Sequence, residues 1–227
     1  MSTDQPHAVV TGATSGIGAA ITARLLAQGW RVTGLSRSPP ASPPAGYTHR
    51  AVDLLDPAAT GAALAGLAPF ALVHAAGLMR AAALGALEPE VARLLWRLHV
   101  DAAFQLADML APRMPDGGRI VLLGSRAALG AAGRSQYAAS KAALPAMARS
   151  WAAELVGRRI TVNVVAPAAT DTPMLQDPAR AGNLPKMPPI GRYIDPDEVA
   201  ALVAFLLGPQ GGAITGQQIM ICGGASL

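Results

Sequence analysis

Short apolar runs alternate with longer stretches of helical period along this chain. Ala8–Thr11 is a short apolar run that ends in the glycine-rich turn Gly12–Gly18. A period of about 3.6 follows in Ile17, Ala20, Ile21 and Leu25 and stops at Gly29, a helix C-terminal signal. Arg31–Leu35 reads as a second strand, so strand, glycine turn, helix and strand make one βαβ unit. Ser38–Gly46 holds Pro39, Pro40, Pro43 and Pro44, which excludes a helix; a polyproline-like loop takes the place of a crossover helix. Thr48–Val52 predicts a third strand, Pro57–Leu67 a helix with proline in its first turn, and Phe70–His74 a fourth strand.

Pro89–Leu110 carries a helical period in Val91, Leu94, Leu95, Leu98, Phe104, Leu106 and Leu110, and reads as one long helix. Arg119–Leu123, Ser135–Val156 and Ile160–Val165 predict strand, helix and strand. Pro167–Ile194 is proline-rich and without period, the mark of a lid or binding loop. Pro196–Leu207 is a helix capped by Asp195, and Gln218–Cys222 is a last strand closed by Gly223-Gly224. This alternation predicts an α/β, Rossmann-like doubly wound parallel sheet of about seven strands with helices on both faces. Residues 1–227 read as a single domain, with a loop of binding character at about 167–195. Ligands of such a sheet bind beyond the C-terminal strand ends.

Composition sharpens this picture. Of 227 residues, 52% are hydrophobic but only 4% aromatic and 14% charged, so the core is aliphatic and disorder of the bulk is excluded. Pro57–Met79 lacks Asp, Glu, Lys and Arg and is long enough for a bilayer, but Pro57, Gly61, Gly66 and Pro69 break it. No signal peptide is read, and a cytoplasmic protein without membrane association is expected. The single cysteine, Cys222, excludes an internal disulfide and reads as a buried strand residue; the four histidines show no metal spacing. The net charge is +4, yet there is no Lys/Arg run and only two lysines, Lys141 and Lys186. The arginines read as solvated surface, and no nucleic-acid partner is expected.

Three constellations carry chemistry. In Gly12-x-x-x-Gly16-x-Gly18, Gly12 allows a tight turn, Gly16 a close ligand approach, and Gly18 close packing of helix on sheet. Helix N-terminal N–H groups then face an anion such as a pyrophosphate; the bland alternative is a structural turn. In Tyr137-x-x-x-Lys141 the two side chains share a helix face, where an ammonium favours phenolate and readies the phenol for proton exchange. Ser125 follows a predicted strand at its C-terminal end, within reach of the same substrate oxygen.

Together these residues resemble the classical short-chain dehydrogenase/reductase family, over Ala8 to Gly224. The matches are Thr11-Gly12-x-x-x-Gly16-Ile17-Gly18, Ala75-Ala76-Gly77, Ser125, Tyr137-x-x-x-Lys141, Asn163 with Pro167, and Ile214-Thr215-Gly216. The resemblance implies hydride exchange between a nicotinamide cofactor and a carbonyl or alcohol. Tyr137 would be the general acid/base, Lys141 would hold the nicotinamide ribose, and Ser125 would orient the carbonyl. Thr14, Ser15 and Ile17 of the glycine turn, and Ala75, Ala76 and Gly77, would border the cofactor. Pro167, Ala169 and Thr172 would lie against the nicotinamide, and Asp53 and Leu54 against adenine.

At the end of the second strand an acidic residue would accept from a ribose 2′-OH; here stand Ser36 and Arg37, which suit a 2′-phosphate. NADP(H) is therefore expected over NAD(H). The substrate would be a small ketone or aldehyde, a 3-oxoacyl compound among the candidates, in a pocket lined by Arg126, Leu129, Ala131, Met174, Leu175 and the Met187 region. Arg126, Arg134, Arg180, Lys186 and Arg192 are candidates for meeting an acidic carrier protein. The resemblance also implies a homo-oligomer, tetramer or dimer, built through the two long helices. The other reading is a nucleotide-binding regulatory or structural protein with weak or no catalysis.

Several positions depart from the family pattern. His74-Ala75 replaces Asn-Asn, so Ala75 lacks an amide that ties strands together, and His74 is either its replacement or an ordinary buried histidine. His99 stands at the family's catalytic Asn. It either serves the proton relay and adds a titration near neutrality, or packs beside a weakened relay. Pro145, four residues after Lys141, predicts a local kink. Pro167-Ala168 replaces Pro-Gly, and Cys222 replaces an Asp common near the family's C-terminus.

Overall fold

A computed structural model describes residues 5–177 and 185–227. The β-strands are β1 (His7–Thr11), β2 (Arg31–Ser36), β3 (Tyr47–Ala51), β4 (Ala71–His74), β5 (Arg119–Leu123), β6 (Thr161–Pro167) and β7 (Gln218–Ile221). They form one parallel sheet in the order β3-β2-β1-β4-β5-β6-β7. The helices are α1 (Gly16–Ala27), α2 (Pro57–Leu64), α3 (Pro89–Trp96), α4 (Ala102–Leu110), α5 (Ser135–Leu155) and α6 (Pro196–Leu207). The period of two along β1 divides the core. Val9 faces a cluster with Leu106, Leu110 and Leu144 of α4 and α5, while Ala8 and Val10 face Ile21, Leu25 and Val203 of α1 and α6. The strand order reverses between β1 and β4, where a doubly wound sheet opens its crevice.

The four prolines of Ser38–Gly46 do stand in place of a crossover helix, and β2 pairs directly with β3. Other expectations are corrected. The long helix Pro89–Leu110 is α3 and α4 joined by a π turn at Arg97–Asp101, where the N–H of Ala102 reaches back five residues to the Arg97 carbonyl. The helix expected over Ser135–Val156 is α5, which carries Pro145 inside it and runs to Leu155. The helix α2 stops at Leu64, short of Leu67, because Gly66 takes a positive φ of 72°. Cys222 lies just past β7 and is half-buried; its thiol is lowered by hydrogen bonding to Ser226.

Many arginines are also not merely solvated surface. Arg50 donates to the carbonyls of Ala63 and Ala65, and Arg113 to Leu64, so two guanidiniums close the C-terminus of α2. Arg97 donates to Leu55, Arg158 to Ala111 and Met114, and Arg119 to Gly117 and Gly118. Asn163 and Thr215 are likewise structural. Asn163 Nδ2 donates to the Ile214 carbonyl at 2.7 Å and its Oδ1 accepts from Gln217 N–H, while Thr215 Oγ1 accepts from Val162 N–H. These bonds fasten the approach to β7 onto β6. Among the described residues no helix is long and apolar enough to cross a membrane.

Candidate active site

Two cavities lie at the C-terminal end of the sheet. The outer one, about 270 Å³, is bordered by Gly12, Thr14, Ser15, Ser36, Arg37, Asp53, Leu54, Ala76 and Gly77. Gly12 has φ +64°, and a Cβ there would stand 2.9 Å from the Ala76 Cα, so the turn needs glycine both for conformation and for space. A Cβ on Gly18 would stand 2.2 Å from the Gly12 carbonyl oxygen, so Gly18 seats α1 against the turn. A Cβ on Gly16 would press on Thr172 at 3.3 Å. The Ser15 side chain makes no capping bond at the N-terminus of α1. By contrast, Asp56 caps α2 and Asp195 caps α6. The first-turn N–H groups of α1 are thus without a side-chain acceptor, as are those of α3 and α5, and at α1 they adjoin the glycine turn, open to an anion.

Arg37 is exposed on the rim of this cavity. The Ser36 hydroxyl donates to the Ser38 carbonyl at 3.0 Å, and His49 Nε2 lies 3.0 Å from its oxygen. Asp53 turns a carboxylate oxygen back onto the Leu55 N–H. The Arg37 guanidinium has no hydrogen bond or ion pair among the described residues, nor do the hydroxyls of Thr14 and Ser15.

The inner cavity, about 670 Å³, brings together Ser125, Tyr137, Lys141 and His99 with Ile17, Ala75, Gly77, Pro167, Ala169 and Thr172. Ser125 follows β5 in extended backbone and its Oγ accepts from Ala127 N–H at 3.1 Å, which fixes the oxygen and leaves its proton to donate. Tyr137 and Lys141 lie one turn apart on α5. Lys141 is 5% exposed; burial pushes its ammonium down to about 7, and it donates to the Leu123 carbonyl at 2.7 Å.

The two buried histidines hold opposite tautomers. His74 Nε2 faces the Leu98 carbonyl at 3.2 Å, an acceptor only, so Nε2 carries the proton. Its bare Nδ1 accepts a hydrogen bond from the Thr11 hydroxyl at 2.9 Å, and Thr11 Oγ1 accepts from the N–H groups of Ala75 and Ala76. His74 therefore supplies the tie that Ala75 lost, linking β1, β4 and the π turn. Burial, and then the Lys141 charge, push His74 down to about 3. His99 Nε2 accepts from Leu78 N–H at 3.2 Å, so Nε2 is bare and Nδ1 donates to Ser140 Oγ at 2.9 Å. Ser140 Oγ in turn donates to the Tyr137 carbonyl. The His99 ring stands edge-on to the Tyr137 ring, with centroids 5.6 Å apart. Burial, and then Lys141, hold His99 far below its ordinary range, which favours a neutral ring, the second of the two readings, over an added titration near neutrality.

Arg126, Ala131, Met174, Leu175 and Met187 line the inner cavity as expected, whereas Leu129 is 66% exposed and lies outside it. Arg134 and Lys186 line it too; Arg192 instead pairs with Glu198 on α6, and Arg180 lies outside the described residues. Sequence reasoning missed the hub role of Thr11, and Ser140 altogether. Thr11 sits opposite His74 in the β1–β4 register, a signal available once those strands are paired.

The comparisons with known proteins agree with this geometry. A family model described as enoyl-(acyl carrier protein) reductase matches residues 12–226. A 3-oxoacyl-[acyl-carrier-protein] reductase of Salmonella typhimurium is 35% identical over 241 residues, 99% of this chain and 98% of that one. A blue fluorescent protein from a metagenomic library, solved with NADPH, superposes with a TM-score of 0.85 at 34% identity over the whole of both chains. The aldohexose dehydrogenase of Thermoplasma acidophilum superposes with a TM-score of 0.89 at 26% identity, over 98% of this chain and 94% of that one. The sheet order, the glycine turn and the Ser125, Tyr137 and Lys141 cluster meet in one assignment: this chain belongs to the classical short-chain dehydrogenase/reductase family of oxidoreductases.

Proposed function

We propose that the protein is a cytoplasmic, NADP(H)-dependent reductase of a small ketone or aldehyde, able to run the reverse oxidation. The observation that carries this is the meeting of Ser125, Tyr137 and Lys141 in the inner cavity, beside an outer cavity that opens on the uncapped start of α1. The nicotinamide nucleotide fits that pair of cavities: Gly12, Thr14, Ser15, Gly16 and Ile17 would hold its pyrophosphate, Ala75, Ala76 and Gly77 its middle, and Pro167, Ala169 and Thr172 its nicotinamide. When bound, that group supplies or accepts hydride. Ser125 Oγ donates to the carbonyl oxygen and aligns it; the Tyr137 hydroxyl gives that oxygen a proton as charge builds on it. Lys141 sets a positive charge behind Tyr137 and favours its anion. Arg37, exposed at the outer rim with no carboxylate at the end of β2, supports a 2′-phosphate. Phe104 of α4, 46% exposed, stacks edge-on with Trp151 of α5, which supports a homodimer or tetramer through that face.

The test is a carbonyl panel followed by NADPH absorbance, with Tyr137→Phe as the blank. Turnover is expected in the unaltered protein, with about a 10²- to 10⁴-fold loss in the variant. Cofactor binding without Tyr137-dependent turnover of any carbonyl overturns the reading in favour of a nucleotide-binding regulator. A native preference for NADH overturns the NADP(H) assignment.

A further inference from the structure

The charge on the wall of the inner cavity bears on the substrate itself. Arg126, Arg134, Lys141 and Lys186 line it, and no Asp or Glu side chain is among its described lining residues. The rest of that wall is largely apolar, with Leu78, Met79, Met174, Leu175 and Met187. Lys141 is committed to the Leu123 carbonyl. Arg126 is the residue directly after Ser125, so its Cα lies about 3.8 Å from that of the residue expected to hold the carbonyl. It is half-buried, and among the described residues its guanidinium has no hydrogen bond and no ion pair. Several other arginines are paired or used, Arg80 with Asp177, Arg158 with Asp116, Arg192 with Glu198, and Arg50, Arg97 and Arg113 with backbone carbonyls; Arg24 on α1 is half-buried and unpaired among the described residues like Arg126, but it does not line the cavity. A half-buried guanidinium without an anion, beside the reacting position in an apolar cavity, is a ligand's half of an ion pair left open.

We infer that the substrate is an oxo acid, and that Arg126 receives its carboxylate while Ser125 and Tyr137 hold the carbonyl; this rests on the reductase reading above. A planar guanidinium binds a carboxylate through two parallel N–H donors, so Arg126 fixes both which end of the substrate enters and how far the carbonyl stands from it. Lys186, exposed at the rim, adds attraction without alignment.

The probes are 3-oxobutanoate and 4-oxopentanoate, each beside its methyl ester, with NADPH. The unaltered enzyme is expected to favour at least one acid over its ester by about tenfold or more in kcat/KM. Arg126→Met lowers kcat/KM for that acid by about 10- to 100-fold while the ester changes by less than about threefold. Arg126→Lys restores part of the loss, and added salt narrows the preference. A merely structural role for Arg126 lowers acid and ester alike and overturns the inference, as does an ester reduced as well as its acid. If neutral ketones are turned over with dependence on Tyr137 and neither acid is, the inference falls and the reductase reading stands. If no carbonyl compound is turned over, both fall together.

Discussion

The inner and outer ends of the cleft are built on opposite principles. At the inner end Thr11, His74 and His99 are fully buried and Lys141 nearly so, and each is held by bonds inside the protein. At the outer end Arg37 is exposed and unengaged among the described residues, and the start of α1 lacks a side-chain cap. Under the proposed function the difference separates two tasks. Proton transfer needs groups fixed before the substrate arrives, because reorganisation during the reaction costs rate. Binding an anion needs donors left unpaired, so that the ligand completes them. Stability should therefore be concentrated at the inner end and ligand choice at the outer one.

The sharpest way to break this contrast is Thr11→Val, which keeps shape and removes one hydroxyl. It leaves the N–H groups of Ala75 and Ala76 and the Nδ1 of His74 without their partner. Buried groups left unsatisfied cost about 1–3 kcal/mol each. A loss of at least about 3 kcal/mol is expected, or roughly 10 °C in Tm for a chain of this size. Thermal unfolding that is unchanged within about 2 °C would remove Thr11 from the centre of the inner network.

Next in size is Lys141→Met, which should stabilise the protein while abolishing turnover. Burial holds the folded-state pKa of Lys141 at about 7, against about 10.5 in an unfolded chain. Below pH 7 both states bind the proton and the native state carries the full burial penalty. Between about 7 and 10.5 only the unfolded state is protonated, so native stability rises with pH by up to about 1.4 kcal/mol per unit. Above that range both are neutral and the penalty is gone. The variant should thus unfold at higher temperature than the parent near pH 6–7, by the equivalent of a few kcal/mol, and the gap should close toward pH 10. A gap independent of pH would mean that Lys141 is not held against its charge. At the outer end, Arg37→Asp should leave unfolding within about 0.5 kcal/mol of the parent, as an exposed change does, while shifting cofactor choice. A large loss of stability there would collapse the contrast between the two ends.

How much of this was legible before folding depends on what each feature is made from. The strands, the glycine turn and the Ser125, Tyr137 and Lys141 set follow from periodicity and spacing within one segment, and these positions do meet. Features made from a backbone carbonyl of one segment and a side chain of another were not legible. Arg50 and Arg113 close α2 from other parts of the chain, so they read as surface charge. The π turn was hidden because Leu98 and His99 keep the helical period while the hydrogen bonds shift by one residue. The two histidines could be suspected of a role, but their tautomers are set by the Leu98 carbonyl and the Leu78 N–H, groups every residue carries.

That last point yields the smallest effect. A histidine at the family's Asn position suggests an added titration, since an exposed imidazole changes charge near pH 6.5. Here the proton cannot be taken up without cost. Nε2 already accepts from Leu78 N–H, Nδ1 already donates to Ser140, and the ring is fully buried and faces the Lys141 charge. His99→Asn keeps a group able to accept from Leu78 and to donate toward Ser140. From about pH 5 to about pH 9 the pH–rate profile of the variant should superimpose on that of the parent after scaling, whatever the change in absolute rate. A limb near pH 6–7 present in the parent and absent from His99→Asn would show that His99 does titrate. The inner end of the cleft would then be wetter and looser than its hydrogen bonds describe.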